Sequence, residues 1–188
     1  VADFTIKLGK SGKIIHHTDS DETGWQVTLA ETGLSAMTGA RVAKIHKYVD
    51  GEDFFLTYGD GVGDVDLDAL LAFHRSHGRI LTVTGVRPPG RFGELVHKNG
   101  KIISFNEKPQ TGEGIISGGY FVASPRLFEY LSTADDLVLE KEPIQNLVRD
   151  QQMMVYEHTG FWQPMDTNRE FQLLNSLYEQ GSAPWVRW

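Results

Sequence analysis

The chain has no cysteine, which excludes disulfides, thiolate metal centres and cysteine nucleophiles and fits a reducing compartment. It has no apolar run near the roughly 20 residues that cross a bilayer as a helix, so no membrane partner is expected. A signal-peptide apolar core is also missing from its first residues, and together with the lack of cysteine this points to the cytoplasm. Positive charge is scarce, with 18 Lys and Arg against 25 Asp and Glu, a net charge of −7. With a pI near 5.4, the chain is not expected to bind nucleic acid, although an acidic protein can still hold a local basic pocket. No repeat, low-complexity tract or linker divides the 188 residues, so a single domain with a sizeable core is expected. The seven histidines lack i,i+4 pairs that would hold a metal, and no nucleophile elbow supports Ser/His/Asp catalysis.

What the sequence does contain alternates between strand and helix patterns. Phe4–Leu8 and Ile14–Thr18 read as a strand and its return, and Trp25, Val27 and Leu29 alternate with polar residues as a half-buried strand would. A helix is predicted from Thr38, as its N-cap, to about Val49, with Val42, Ile45 and Val49 on one face. Phe54–Thr57 reads as a buried central strand that runs into the turn Gly59-Asp60-Gly61. A helix over Asp64–His77 turns Leu67, Leu70, Leu71 and His74 inward and ends at Gly78. Strands are predicted over Arg79–Val86, Gly118–Ala123 and Met153–Glu157, and Asn99-Gly100 marks a hairpin between residues 94–98 and 101–105. Short helices follow Pro125 and Glu142. The chain closes with an amphipathic helix, Asn168–Gln180, opened by a Thr167–Glu170 capping box. Helices alternating with strands, plus one hairpin, describe an α/β fold with a mixed sheet.

Four constellations could carry chemistry. Asp60, between Gly59 and Gly61, sits where a strand of an α/β sheet delivers ligands, and its carboxylate suits Mg²⁺ on a phosphate. The two glycines permit close approach of a ligand, or simply a turn. Asp166, just ahead of the last helix, is a second oxygen ligand for Mg²⁺ or, equally, an acid favoured by the helix dipole. In Asn106-Glu107-Lys108-Pro109, the proline stops the strand and leaves Glu107 and Lys108 either facing a ligand or in solvent. Gly118-Gly119 allows a backbone to approach a sugar ring, or marks a bulge. Arg41 and Arg91 lie in Gly-containing loops and are candidates for phosphate.

In this order, the motifs resemble the sugar-phosphate nucleotidyltransferases, most closely the glucose-1-phosphate cytidylyltransferases. The matching segments are Ser35–Arg41, Thr57–Val62, Pro88–Gly93, Ser104–Pro109, Gly118–Val122 and Gly160–Thr167. The resemblance implies a Rossmann-like mixed sheet with flanking helices, of nucleotidyltransferase type. It implies transfer of a nucleotidyl group, CMP from CTP, to a sugar 1-phosphate such as glucose 1-phosphate, with release of pyrophosphate. Asp60 and Asp166 would then hold Mg²⁺, Lys108 would contact the sugar phosphate, Glu107 and Gly119 the sugar, and Arg41 the nucleotide. Asp60, Lys108 and Asp166 form the catalytic set. Gly59, Gly61, Arg91, Gly118 and Trp162 complete the substrate-binding set.

Two departures stand out. Ser117 occupies the place where the family commonly has Asn, and the family's N-terminal Gly-Gly-x-Gly-Thr-Arg loop has no counterpart before Asp60. The chain is therefore expected to be a partial nucleotidyltransferase domain over 1–188, lacking N-terminal units, whose open sheet edge favours a homo-oligomer. The alternative function is a non-catalytic relative that binds a nucleotide sugar or a partner chain. A metal-dependent glycosyltransferase, suggested by Asp64-Val65-Asp66, is a third reading, with capping of the following helix as the plainer account of those acids.

Overall fold

The computed structural model describes residues 4–6, 14–16, 25–49, 51–88, 94–106 and 114–186. The backbone divides into two compact units, Val1–Glu31 and Thr32–Trp188. In the first, β1 (Phe4–Ile6) pairs antiparallel with β2 (Ile14–His16), with Thr5 opposite Ile15. Residues 25–30 form no strand, and Trp25, Val27 and Leu29 are 76%, 73% and 93% exposed. Apolar alternation makes a strand only where a neighbour takes the ladder hydrogen bonds, and no described strand pairs with this segment.

The second unit begins with α1 (Thr38–Lys44) and a 3₁₀ turn over His46–Tyr48. There follow β3 (Phe54–Thr57), β4 (Gly61–Gly63), α2 (Leu67–His77), β5 (Leu81–Val86) and the hairpin strands β6 (Glu94–Lys98) and β7 (Lys101–Asn106). Then come β8 (Ile116–Ala123), a 3₁₀ turn over Pro125–Tyr130, α3 (Glu142–Arg149), β9 (Met153–His158), β10 (Trp162–Pro164) and α4 (Asn168–Glu179).

Four strands form one mixed sheet in the order β3-β8-β5-β9, in which β8 runs antiparallel to both neighbours and β5 lies parallel to β9. The expected central strand β3 is thus, among the described residues, an edge strand with β8 on one side, and Phe55 is 47% exposed. The inner strands β5 and β8 occupy the buried positions. Successive residues of β8 face opposite ways. Phe121 and Ala123 join Val42, Leu81, Leu127, Leu139 and Leu147 in the larger core, while Val122 packs with Val65 and Leu70 on the α2 side.

Local signals explain the helix ends. The Asp66 carboxylate accepts the Ala69 N–H at 2.9 Å, and Gly78 closes α2 at φ +63°. The helix therefore starts at Leu67, not Asp64, and Leu67 stays exposed while Leu70 and His74 form the buried stripe. Thr38 does not cap α1. Met37 stands at the cap, and the Thr38 hydroxyl is engaged elsewhere. The capping box at α4 is present, as is the hairpin turn, with Asn99 at φ +50° and Gly100 at φ +80°. Along α4 only Leu174 is buried, whereas Phe171 and Tyr178 face outward.

At the amino end of β5 a directed hydrogen-bond chain links two helix histidines. The Arg79 N–H donates to His77 Nδ1 at 2.9 Å, so Nε2 carries the proton and donates to Thr82 Oγ1 at 2.8 Å. The Thr82 hydroxyl then donates to His74 Nδ1 at 2.8 Å, and His74 Nε2 points to Asp53 at 3.8 Å. Burial lowers the pKa of both histidines, with the Asp53 charge opposing it at His74 and the Arg79 charge adding to it at His77.

Candidate functional site

The site grows from the carboxyl end of β3. The Tyr58 N–H donates to the Gly119 carbonyl at 3.2 Å, and the chain turns through Gly59 and Asp60 into β4. That short strand pairs antiparallel with β10, Gly61 opposite Pro164 and Gly63 opposite Trp162. The pairing is extended by the Met165 N–H, which donates to the Asp60 carbonyl at 2.7 Å. Asp166 is the next residue, so two acids 106 positions apart in sequence stand on adjoining strand ends, both exposed. Asp166 lies immediately before the Thr167 cap of α4, and its own N–H donates to Glu170 Oε2 at 2.9 Å. It therefore stands at a strand end and at a helix start at once.

Gly118 and Gly119 sit in a bulge. Val83 faces Phe121 but Gly85 faces Ser117, so β8 carries extra residues opposite Thr84. The bulge aims the glycines at the strand ends. Trp162 Nε1–H donates to the Gly118 carbonyl at 2.8 Å and Tyr120 OH to the Gly61 carbonyl at 3.1 Å, which knits β4, β8 and β10 together. Between them lies a cleft of about 70 Å³ lined by Tyr58, Asp60 and Gly61 on one side and Gly118, Gly119 and Trp162 on the other. This is smaller than the roughly 300–1,000 Å³ of an enclosed ligand pocket, so these residues form one wall of a site rather than a whole one.

The residues expected from sequence are distributed as follows. Asp60, Gly61, Gly118, Gly119 and Trp162 converge on the cleft, and Asp166 stands beside Asp60. Gly59 is exposed in the turn and does not line the cleft. Arg41, on α1, donates from Nη1 to Thr32 Oγ1 at 2.8 Å and from Nη2 to the Leu34 carbonyl at 3.3 Å, also away from the cleft lining. Arg91, Glu107 and Lys108 lie outside the described residues. The Asp-x-Asp acids serve the fold, since Asp66 caps α2 and Asp64 Oδ1 lies 3.0 Å from His158 Nε2.

One participant had no sequence signal. Glu140 accepts hydrogen bonds from Tyr58 OH and, at 2.7 Å, from Thr38 Oγ1. Burial opposes the Glu140 charge, but these two donors outweigh it and hold its pKa below the ordinary value. Burial, the bond to Glu140 and the charges of Glu140 and Asp60 push the Tyr58 phenol far up, so it stays a donor.

The donor set can be tested against a metal. Among the described residues no group of three or more His, Asp or Glu side chains could cage an ion. A pair of exposed carboxylates suits Mg²⁺, which takes one or two carboxylates and fills its remaining positions with water and phosphate oxygens. Asp60 and Asp166 fit that ion.

The fold and this arrangement define a nucleotidyltransferase-type α/β protein. The structure matches a putative glucose-1-phosphate thymidylyltransferase from Bacillus anthracis with TM-score 0.60 at 17% identity, over 83% of this chain and 64% of that one. It also matches the inositol-1-phosphate CTP transferase from T. maritima with TM-score 0.53 at 17% identity, over 80% of this chain and 63% of that one. In sequence, the model of the nucleotidyl transferase family matches residues 13–173, and the chain belongs to this enzyme family. It is 42% identical to the glucose-1-phosphate cytidylyltransferase of Salmonella typhimurium over 189 residues, all of this chain and 72% of the relative. It is 38% identical to the probable glucose-1-phosphate cytidylyltransferase of Bacillus subtilis, over 87% of this chain and 64% of the relative.

Proposed function

We propose that this chain transfers CMP from CTP to glucose 1-phosphate and releases pyrophosphate, in the presence of Mg²⁺. The observation that carries this reading is the β4–β10 pairing, which sets Asp166 beside Asp60 at the lip of a glycine-walled cleft. Similarity to two cytidylyltransferases supports the choice of nucleotide and sugar.

In this reading Asp60 and Asp166 hold Mg²⁺. The ion, when bound, supplies positive charge against the triphosphate and fixes its orientation. The protein's work is placement. Gly118 and Gly119 lack side chains and let the sugar ring rest against backbone, with Glu107 binding its hydroxyls. Lys108 neutralises the sugar phosphate and Arg41 the nucleotide, with Arg91 on the phosphate side. A phosphate oxygen of the sugar then attacks the α-phosphorus of CTP in line, and pyrophosphate leaves. No side-chain nucleophile takes part, so the rate comes from orientation and from charges already in place. Self-association and a cytoplasmic location belong to the same proposal, and light scattering at micromolar concentration tests the former.

The test is pyrophosphate release from CTP and glucose 1-phosphate with Mg²⁺ and then with EDTA, with UTP and dTTP alongside. CTP-selective, Mg²⁺-dependent release is expected. A folded protein that releases nothing with any nucleotide overturns the proposal in favour of a binding module.

A further inference from the structure

We propose that Glu140 is a positioning residue for the cleft, holding Tyr58 against Gly119 and so setting the wall on which substrate rests. The assignment rests on the transferase reading above. Each oxygen of the Glu140 carboxylate takes one hydroxyl. Tyr58 OH donates to Oε1 and Thr38 Oγ1 to Oε2 at 2.7 Å, while the Leu139 N–H donates back to Thr38 Oγ1 at 3.0 Å. One carboxylate thereby ties the first turn of α1, which carries Arg41, to the end of β3, two residues before Asp60.

The Tyr58 ring has little room to move. A Cβ on Gly119 would lie 3.2 Å from Tyr58 Cδ2, the Tyr58 N–H is bonded to the Gly119 carbonyl, and Phe121 meets the ring edge-on at 5.8 Å. Glu140 fixes the remaining free end. Glu140 is absent from the lining of the cleft, so it acts on that wall through Tyr58, and both residues also line an adjoining cavity of about 350 Å³. A plain brace would do no more than keep α1 in place. A positioning residue also alters how substrate sits.

The experiment compares Glu140→Gln, Tyr58→Phe and the double variant by steady-state kinetics of pyrophosphate release, with thermal unfolding run on each. Glutamine keeps the shape but offers one acceptor oxygen and one donor amide where there were two acceptors, so one hydroxyl loses its acceptor. Glu140→Gln is expected to lower kcat/KM for glucose 1-phosphate about tenfold. In the Tyr58→Phe background the same change is expected to add little, because the two residues act as a unit. Unchanged kinetic constants in folded Glu140→Gln, or losses that simply add in the double variant, overturn the assignment. A wild type without turnover overturns the transferase reading, and this assignment with it.

Discussion

Replacing Gly119 by alanine is expected to destabilise the protein through two separable causes, and the structure assigns a size to each. Gly119 has φ +79°, on the left-handed side, where a side-chain-bearing residue loses about 1–2 kcal/mol. The new Cβ would also lie 3.2 Å from Tyr58 Cδ2, tighter than ordinary contact. Tyr58 cannot retreat freely, being held at its N–H by Gly119 and at its hydroxyl by Glu140. Mild overpacking of this kind adds about 1 kcal/mol, for a total of about 2–3 kcal/mol. In a domain of this size each kcal/mol moves Tm by about 2–4 °C, so the drop should be about 4–12 °C. Gly59→Ala is the internal control. It lies in the turn after β3 with nothing within 4 Å of its would-be Cβ, and should stay within about 0.5 kcal/mol of wild type. Differential scanning calorimetry of Gly119→Ala in wild-type and Tyr58→Ala backgrounds separates the causes. Without the ring, the steric part should vanish and the backbone part of about 1–2 kcal/mol should remain. A Gly119→Ala protein that melts with Gly59→Ala would falsify this account of the bulge.

Asp60→Asn and Asp166→Asn should each weaken Mg²⁺-dependent CTP binding by calorimetry with little change in Tm, since both acids are exposed; equal affinity in wild type and both variants would remove the metal assignment. Stability should fall as pH drops below about 6.5, because unfolded histidine takes up a proton there while His74 and His77, with lowered pKa values, resist it. The loss continues until pH passes below their folded values, and urea midpoints between pH 7.5 and 5 should show a smaller slope in Thr82→Val, whose folded state lacks the hydroxyl that donates to neutral His74 Nδ1. Thr167→Ala removes one half of the α4 capping box and should cost about 1 kcal/mol, or about 2–4 °C in Tm; no shift would show that the box contributes nothing here.

Short-range chemistry was legible in the sequence. The Asn99-Gly100 hairpin, the Gly78 stop of α2 and the Thr167–Glu170 box depend on residues a few positions apart, and each stands as expected. The ordered motifs likewise placed Asp60, Gly118, Gly119, Trp162 and Asp166 in one neighbourhood, where β4, β8 and β10 bring them. Burial was harder to read. Phe54–Thr57 has the composition of a central strand, yet a strand's rank in a sheet is decided by its neighbours, and β3 has β8 on one side only among the described residues. Trp25, Val27 and Leu29 alternate without a partner to turn the pattern into a ladder. Glu140 escaped notice because its meaning comes from Tyr58 and Thr38, 82 and 102 positions away, and a glutamate in the charged run before Pro143 resembles any solvated acid.

The pairing of β4 with β10 also bears on when the site comes into being. The sheet of β3, β8, β5 and β9 is complete by His158, before the chain reaches Asp166. Three residues on each strand, and one further hydrogen bond, then recruit the second acid from 106 positions downstream of the first. Contacts of such sequence separation close late in folding, after local structure has formed. During synthesis, the folded core would carry only the first of these two acids until β10 emerged and paired with β4. If the two acids hold the ion as proposed, affinity for it would be acquired only when β10 pairs with β4, making the ion a reporter of that closure rather than a template for the sheet.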